Sequence, residues 1–128
     1  MRIATWNVNS VRQRVAHLAA WLKEQSPDVV CLQELKCLDE AFPRDVVEGL
    51  GYNVETHGQK TFNGVAILSK YPMSDVRRGL PGADDDEQAR YIEALIEAPE
   101  GATRVASIYL PNGNPLGTEK FTYKLAWM

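Results

Sequence analysis

From residue 2 to residue 8 the side chains alternate, Ile3, Thr5 and Asn7 falling on one face and Ala4, Trp6 and Val8 on the other. Period two is the strand period and predicts a strand that delivers Asn7 to its C-terminal end. Val11, Val15, Leu18, Ala19 and Leu22 then recur at helical spacing behind Ser10, with Gln13 three residues after it. That pattern predicts a helix opened by a Ser10 capping box and closed before Pro27. The run Val29-Val30-Cys31-Leu32 is continuously apolar and of strand length, the pattern of a strand covered on both faces, and Glu34 stands just where it ends. Strand, helix and strand in so short a span predict a crossover unit with parallel strands, which would bring Asn7 and Glu34 to one sheet edge.

The middle of the chain reads as mostly β. A short helix is predicted over residues 44–50, stopped by Gly51, and two strands over residues 52–57 and 64–69 that pair as a hairpin. Tyr71-Pro72 breaks the second of these, the acidic run Asp84-Asp85-Asp86-Glu87 forms a loop, and a further strand pair is predicted over residues 90–97 and 103–110. After the turn-rich Pro111-Asn112-Gly113-Asn114-Pro115, a helix is predicted with Phe121, Leu125 and Met128 on one face. No capping residue follows Met128, so the chain is expected to stop inside that helix.

Composition changes this picture little. The 128 residues suffice for one domain, and 45% hydrophobic with 24% charged residues is the make-up of a globular protein rather than a disordered or fibrous one. No apolar run approaches a membrane span and residues 1–8 lack signal-peptide regions, so a cytoplasmic protein with no membrane partner is expected. Cys31 and Cys37 match neither a zinc pair nor a redox motif and read as reduced thiols, Cys31 in the core. A net charge of −3 weighs mildly against nucleic-acid binding, although an acidic protein that holds a hard cation can still carry a local basic rim.

Three polar residues fall at predicted strand ends within apolar contexts: Asn7, Glu34 and Tyr109. Ligands in open sheets gather at such ends. Glu34 has the hard oxygen donors that Mg²⁺ prefers, but it fits a structural acid as well. Asn7 suits a phosphate, a water or a turn. Tyr109 lies on the opposite strand face from Ala106, Ile108 and Leu110, where its phenol suits either a phosphoryl oxygen or the edge of the core. Lys36, Arg90 and Asn112 suit phosphates or plain solvent, the acidic run lacks the spacing of a calcium loop, and neither His17 nor His57 has a catalytic context.

Thr5-Trp6-Asn7-Val8-Asn9-Ser10-Val11-Arg12, Leu32-Gln33-Glu34-Leu35-Lys36 and Tyr109-Leu110-Pro111-Asn112-Gly113 together resemble the successive motifs of the exonuclease III/AP endonuclease family. The likeness continues through Asn63-Gly64-Val65-Ala66-Ile67, Gln88-Ala89-Arg90-Tyr91-Ile92 and Lys124-Leu125-Ala126-Trp127-Met128. It implies an α/β chain of the endonuclease/exonuclease/phosphatase superfamily: the first half of a four-layer αββα sandwich, with one mixed β-sheet and flanking helices, residues 1–128 being the N-terminal part of that domain. It further implies that Glu34, with Asn7, binds Mg²⁺ (Mn²⁺ being possible). Asn7, Glu34 and Tyr109 would be catalytic, and Asn9, Lys36, Arg90 and Asn112 would line the path of double-stranded DNA carrying abasic sites or 3′ ends.

The implied reaction is metal-assisted hydrolysis of a DNA phosphodiester in base excision repair by a monomeric parent enzyme. The family's Asp-x-Asn motif and terminal Asp-His pair have no counterpart in this sequence, so the chain alone is expected to be nearly inactive. Two other readings compete: a phosphoesterase of the same superfamily acting on another substrate, and a non-catalytic binding fragment.

Overall fold

The computed structural model describes residues 1–59, 63–79 and 90–109. The acidic run at 84–87, Asn112 and the expected helix beyond residue 115 lie outside the described residues. In chain order the elements are β1 (Ile3–Asn7), α1 (Val15–Gln25), β2 (Val29–Gln33), a 3₁₀ turn (Asp39–Ala41), α2 (Arg44–Glu48), β3 (Asn53–His57), β4 (Val65–Ser69), β5 (Met73–Arg78), β6 (Tyr91–Ala98) and β7 (Gly101–Ile108).

The strands form two sheets. The first is the mixed sheet expected from the resemblance, in the order β1-β2-β4-β3, and the second is antiparallel, in the order β5-β6-β7. In the mixed sheet β1 and β2 run parallel, with Ile3 opposite Val29 and Asn7 opposite Gln33, as the crossover through α1 requires. β2 then pairs antiparallel with β4, and β4 with β3, the latter being the predicted hairpin. β6 and β7 pair across the Pro99-Glu100 turn from Ala98 opposite Gly101 to Tyr91 opposite Ile108.

Strand alternation sends two sets of side chains in opposite directions, and each set builds a core. Val30, Leu32, Ala66 and Leu68 face the helices, where Leu18, Leu22, Val47, Phe42 and Tyr52 cover them. Val29, Cys31, Val65 and Ile67 face the antiparallel sheet and pack on Ile92, Ala94, Ile96 and Val105. Every residue of β2 and β4 is buried, which is why both strands read as unbroken apolar runs. The described layers are therefore helices, mixed sheet and antiparallel sheet. Among the described residues β1 pairs with β2 alone, and Ile3 stays half exposed beside a cavity of about 380 Å³ lined also by Thr5, Gln33, Arg104 and Ile108.

One local expectation is corrected, and one strand appears that was not expected. The Ser10 capping box does not form: α1 starts at Val15, with no side-chain cap, because the Ser10 amide is already donated to the Glu34 carbonyl at 2.9 Å. Tyr71-Pro72 does break the second hairpin strand, β4 ending at Ser69, but one strand was not expected. A further edge strand, β5, begins immediately after it at Met73 and pairs with β6 through a bulge between Ser74 and Arg77.

Candidate functional site

The site lies where β1 and β2 end together. Their ladder runs on past both strands, Val8 N–H donating to Gln33 O at 3.0 Å, Ser10 N–H to Glu34 O at 2.9 Å and Val11 N–H to Leu35 O at 3.1 Å. On the other side Leu35 N–H donates to Gly64 O at 3.1 Å and Lys36 N–H to Asn63 O at 2.9 Å. Glu34 and Lys36 take left-handed backbone angles, φ 57° and 56°, so that Leu35 between them is fully buried while the two charged side chains turn outward. Asn9 (φ 47°), Ser10 (φ 83°), Asn63 (φ 54°) and Gly64 (φ 94°) share this conformation in the adjoining loops. Non-glycine residues held there cost on the order of 1–3 kcal/mol each and persist only where the surroundings enforce them, which is typical of working sites.

Two chains of side-chain contacts rise from this edge. In the first, the Asn7 side-chain oxygen accepts the Asn9 N–H at 3.1 Å, an Asx turn that fixes the Asn7 amide, and Lys36 Nζ donates to Asn9 Oδ1 at 2.6 Å. The amide NH₂ of Asn7 and the second lone pair of its oxygen remain for other partners. In the second, the Glu34 carboxylate lies near enough to the Tyr109 phenol to raise its pKa. The Tyr109 N–H donates to Arg90 O at 2.8 Å, and the Arg90 guanidinium lies over the Tyr109 ring, 5.4 Å from its centroid.

The phenol is shifted upward from its ordinary pKa first by the Glu34 hydrogen bond, then by burial and by the Glu34 charge, while Arg90 pulls the other way. Tyr109 therefore stays a neutral hydrogen-bond donor at physiological pH. The edge thus holds one carboxylate, two side-chain amides, a neutral phenol and two cations, a set able to bind a hard cation and a phosphate together.

Of the residues singled out by sequence, Asn7, Asn9, Glu34, Lys36, Arg90 and Tyr109 come to this edge, and Asn112 lies outside the described residues. His17 sits instead on α1, edge-on to Trp6 with ring centroids 5.2 Å apart. Cys31 and Cys37 are buried free thiols, and burial pushes Cys31 up to about 12. Among the described residues no three His, Cys, Asp or Glu side chains gather as a metal cluster; Glu34, with the Asn7 amide oxygen nearby, is a carboxylate here that could hold a metal. One or two protein oxygens with several waters is a set that suits Mg²⁺.

Sequence reasoning gave no role to the residues that brace the edge. Gln33 is buried and its side-chain amide donates to Ser107 Oγ at 3.1 Å and Thr5 Oγ1 at 3.0 Å. Asn63-Gly64 supplies the two carbonyls that hold residues 35 and 36. The Asn-Gly dipeptide is a turn signal that marks this position, whereas nothing in the local sequence marks Ser107.

The model of the Endonuclease/Exonuclease/phosphatase family matches residues 4–125. Exodeoxyribonuclease III of Haemophilus influenzae is 42% identical over 125 residues, which are 97% of this chain and 47% of the relative. A 3′-5′ exonuclease structure from Neisseria meningitidis superposes with a TM-score of 0.82 at 41% identity, covering 99% of this chain and 48% of that one. A Neisseria 3′ phosphatase bound to a product DNA hairpin gives the same TM-score, identity and coverage. The chain spans about half the length of these relatives. Among the described residues no helix is long and apolar enough to cross a membrane. The match over most of its length, together with the strand-end site, shows that this chain belongs to the endonuclease/exonuclease/phosphatase family.

Proposed function

We propose that this chain is part of a Mg²⁺-dependent DNA-repair phosphodiesterase of the exodeoxyribonuclease III type, acting beside abasic sites and on 3′ ends, and that it carries the metal carboxylate Glu34. The observation that supports this best is the strand-end ladder that sets Asn7 and Glu34 at one edge, Asn7 opposite Gln33 and the Ser10 N–H donating to Glu34 O at 2.9 Å. The relatives' names agree with a nuclease on DNA.

Glu34, with the Asn7 amide oxygen, would hold Mg²⁺ or Mn²⁺, which when bound neutralises charge developing on the phosphoryl oxygens. With the ion on Glu34, the Tyr109 hydroxyl would turn its single proton from the carboxylate to a phosphoryl oxygen, and the Asn7 NH₂, held by the Asx turn, donates to another. Lys36 and Asn9, already joined at 2.6 Å, present a cation and an amide to the adjacent backbone, Arg90 adds a second cation, and Asn112 is proposed as a further phosphate contact on the resemblance alone. None of these residues is suited to take a proton from water at neutral pH, and His17 is engaged on Trp6. The chain by itself therefore binds rather than cuts.

Titration of the chain with Mg²⁺ by calorimetry, alone and as Glu34→Gln, tests the assignment. Loss of at least tenfold in Mg²⁺ affinity is expected in the variant, together with Mg²⁺-strengthened binding of an abasic-site duplex by the unaltered chain. Equal Mg²⁺ affinity in both proteins would sink the role given to Glu34. Preference for inositol phosphates over the duplex would sink the substrate.

A further inference from the structure

We propose that Arg90 is a positioning residue that acts on the site through Tyr109: its guanidinium covers one face of the phenol ring and thereby sets where the hydroxyl sits against Glu34. This deepens the reading given above, in which Arg90 is a phosphate contact, and rests on that reading for its catalytic meaning.

The geometry supports it at three points. β6 and β7 pair up to Tyr91 opposite Ile108, so Arg90 and Tyr109 form the next rung, closed by the Tyr109 N–H donating to Arg90 O at 2.8 Å. That bond fixes the Tyr109 backbone but leaves the ring free to turn about its side-chain bonds. The ring is then confined from two sides, against the inter-sheet core that includes Cys31 and Ile92 and beneath the Arg90 guanidinium at 5.4 Å. The nearby Glu34 carboxylate, which raises the phenol's pKa, is the third neighbour of that ring.

A planar, weakly hydrated guanidinium stacks on an aromatic face, whereas a lysine ammonium presents a compact, strongly hydrated charge. The contact therefore requires arginine for its shape as well as its charge. A guanidinium engaged only with phosphate would tolerate lysine and would leave Tyr109 unaffected in the free protein.

The test uses aromatic ¹H–¹³C spectra of the chain without DNA or metal, with the Tyr109 peaks identified by Tyr109→Phe. In Arg90→Lys the Tyr109 ring peaks are expected to move and broaden while the circular dichroism stays unchanged. Reciprocally, Tyr109→Leu removes the ring current and should shift the Arg90 Hε resonance downfield. Tyr109 peaks of Arg90→Lys superimposable on those of the unaltered chain would overturn the proposal. If that variant fails to fold, an unmoved Arg90 Hε in Tyr109→Leu would do so instead. Weakened duplex binding with unmoved peaks leaves Arg90 as a phosphate ligand only, overturning the positioning role; moved peaks with no duplex binding sustain it and sink the nuclease reading.

Discussion

Ser107 pins the two sheets together by donating its hydroxyl to the Leu32 carbonyl at 2.8 Å, and two residues farther along each chain Tyr109 and Glu34 meet. The same hydroxyl accepts the Gln33 amide at 3.1 Å, and Ser107 is almost wholly buried. Ser107→Ala removes the hydroxyl that Leu32 O accepts, while the Gln33 amide keeps Thr5 Oγ1 and Cys31 O, so the loss should be about 0.5–1.5 kcal/mol. Urea unfolding measures that loss. Spectra of Tyr109 in the same variant should shift, since the pin sets the spacing of the two strands at the site.

Two glycines beside the site admit no side chain. A methyl group on Gly58 would lie 2.5 Å from the Cys37 carbonyl oxygen and 2.7 Å from the Asp39 nitrogen, both backbone atoms that have no room to give. On Gly64, at φ +94°, it would meet the Leu35 side chain at 2.8 Å. Gly58→Ala is expected to destabilise by about 1–3 kcal/mol, and Gly64→Ala by a similar amount through backbone strain with overpacking. Gly64→Ala should also shift the amide resonances of Leu35 and Lys36. Thermal unfolding of the two variants unchanged from the parent would contradict this.

The buried thiols make stability fall at high pH. Cys31 is raised from 9.0 to about 12 by burial, and Cys37 is raised chiefly by burial too, with Asp39 adding to it and Arg12 opposing. Below pH about 9 both folded and unfolded chains keep the Cys31 proton, so this group contributes nothing to pH dependence. Between about 9 and 12 the unfolded thiol ionises and the folded one does not. Stability should therefore drop by up to about 1.4 kcal/mol per pH unit from Cys31. Urea unfolding at several pH values, compared between the parent and Cys31→Ala to cancel other titrating groups, reads this slope. Equal slopes would refute it.

Glu93 is buried on β6, accepting the Tyr91 hydroxyl at 3.0 Å and the Arg104 guanidinium at 2.8 Å, while Arg104 also bonds Asp75. Removing only the cation strands a buried carboxylate. Arg104→Met should thus lower the melting temperature more than the double change Arg104→Met with Glu93→Gln. A double variant no more stable than the single one would show that the carboxylate was not the source of the cost.

Much of this was legible in the sequence, and the exceptions have physical reasons. β2 and β4 announce themselves because both faces are buried and β1 because half-buried and exposed residues alternate, and the parallel pairing of Asn7 beside Gln33 follows from the crossover. β5 was hidden because it is a short, bulged edge strand after a proline, whose Asp75, Arg77 and Arg78 face water. Ser10 resembled a helix cap because its side chain suits one, but its amide belongs to the strand-end ladder. Tyr109 was marked by its parity on β7. The hold that Arg90 has on it was not, since 19 positions separate the pair and only the β6–β7 register joins them.

The left-handed residues at the strand ends bear on what variation this chain can accept. Glu34 and Lys36 occupy backbone angles that glycine takes without penalty and that β-branched residues resist. A change of Glu34 to glycine would relieve strain while erasing the carboxylate, and a change to valine would add strain and erase it as well. Stability and chemistry are thus set against each other at a single position. Random variation selected for thermal resistance alone would therefore drift toward a sturdier protein with an empty edge.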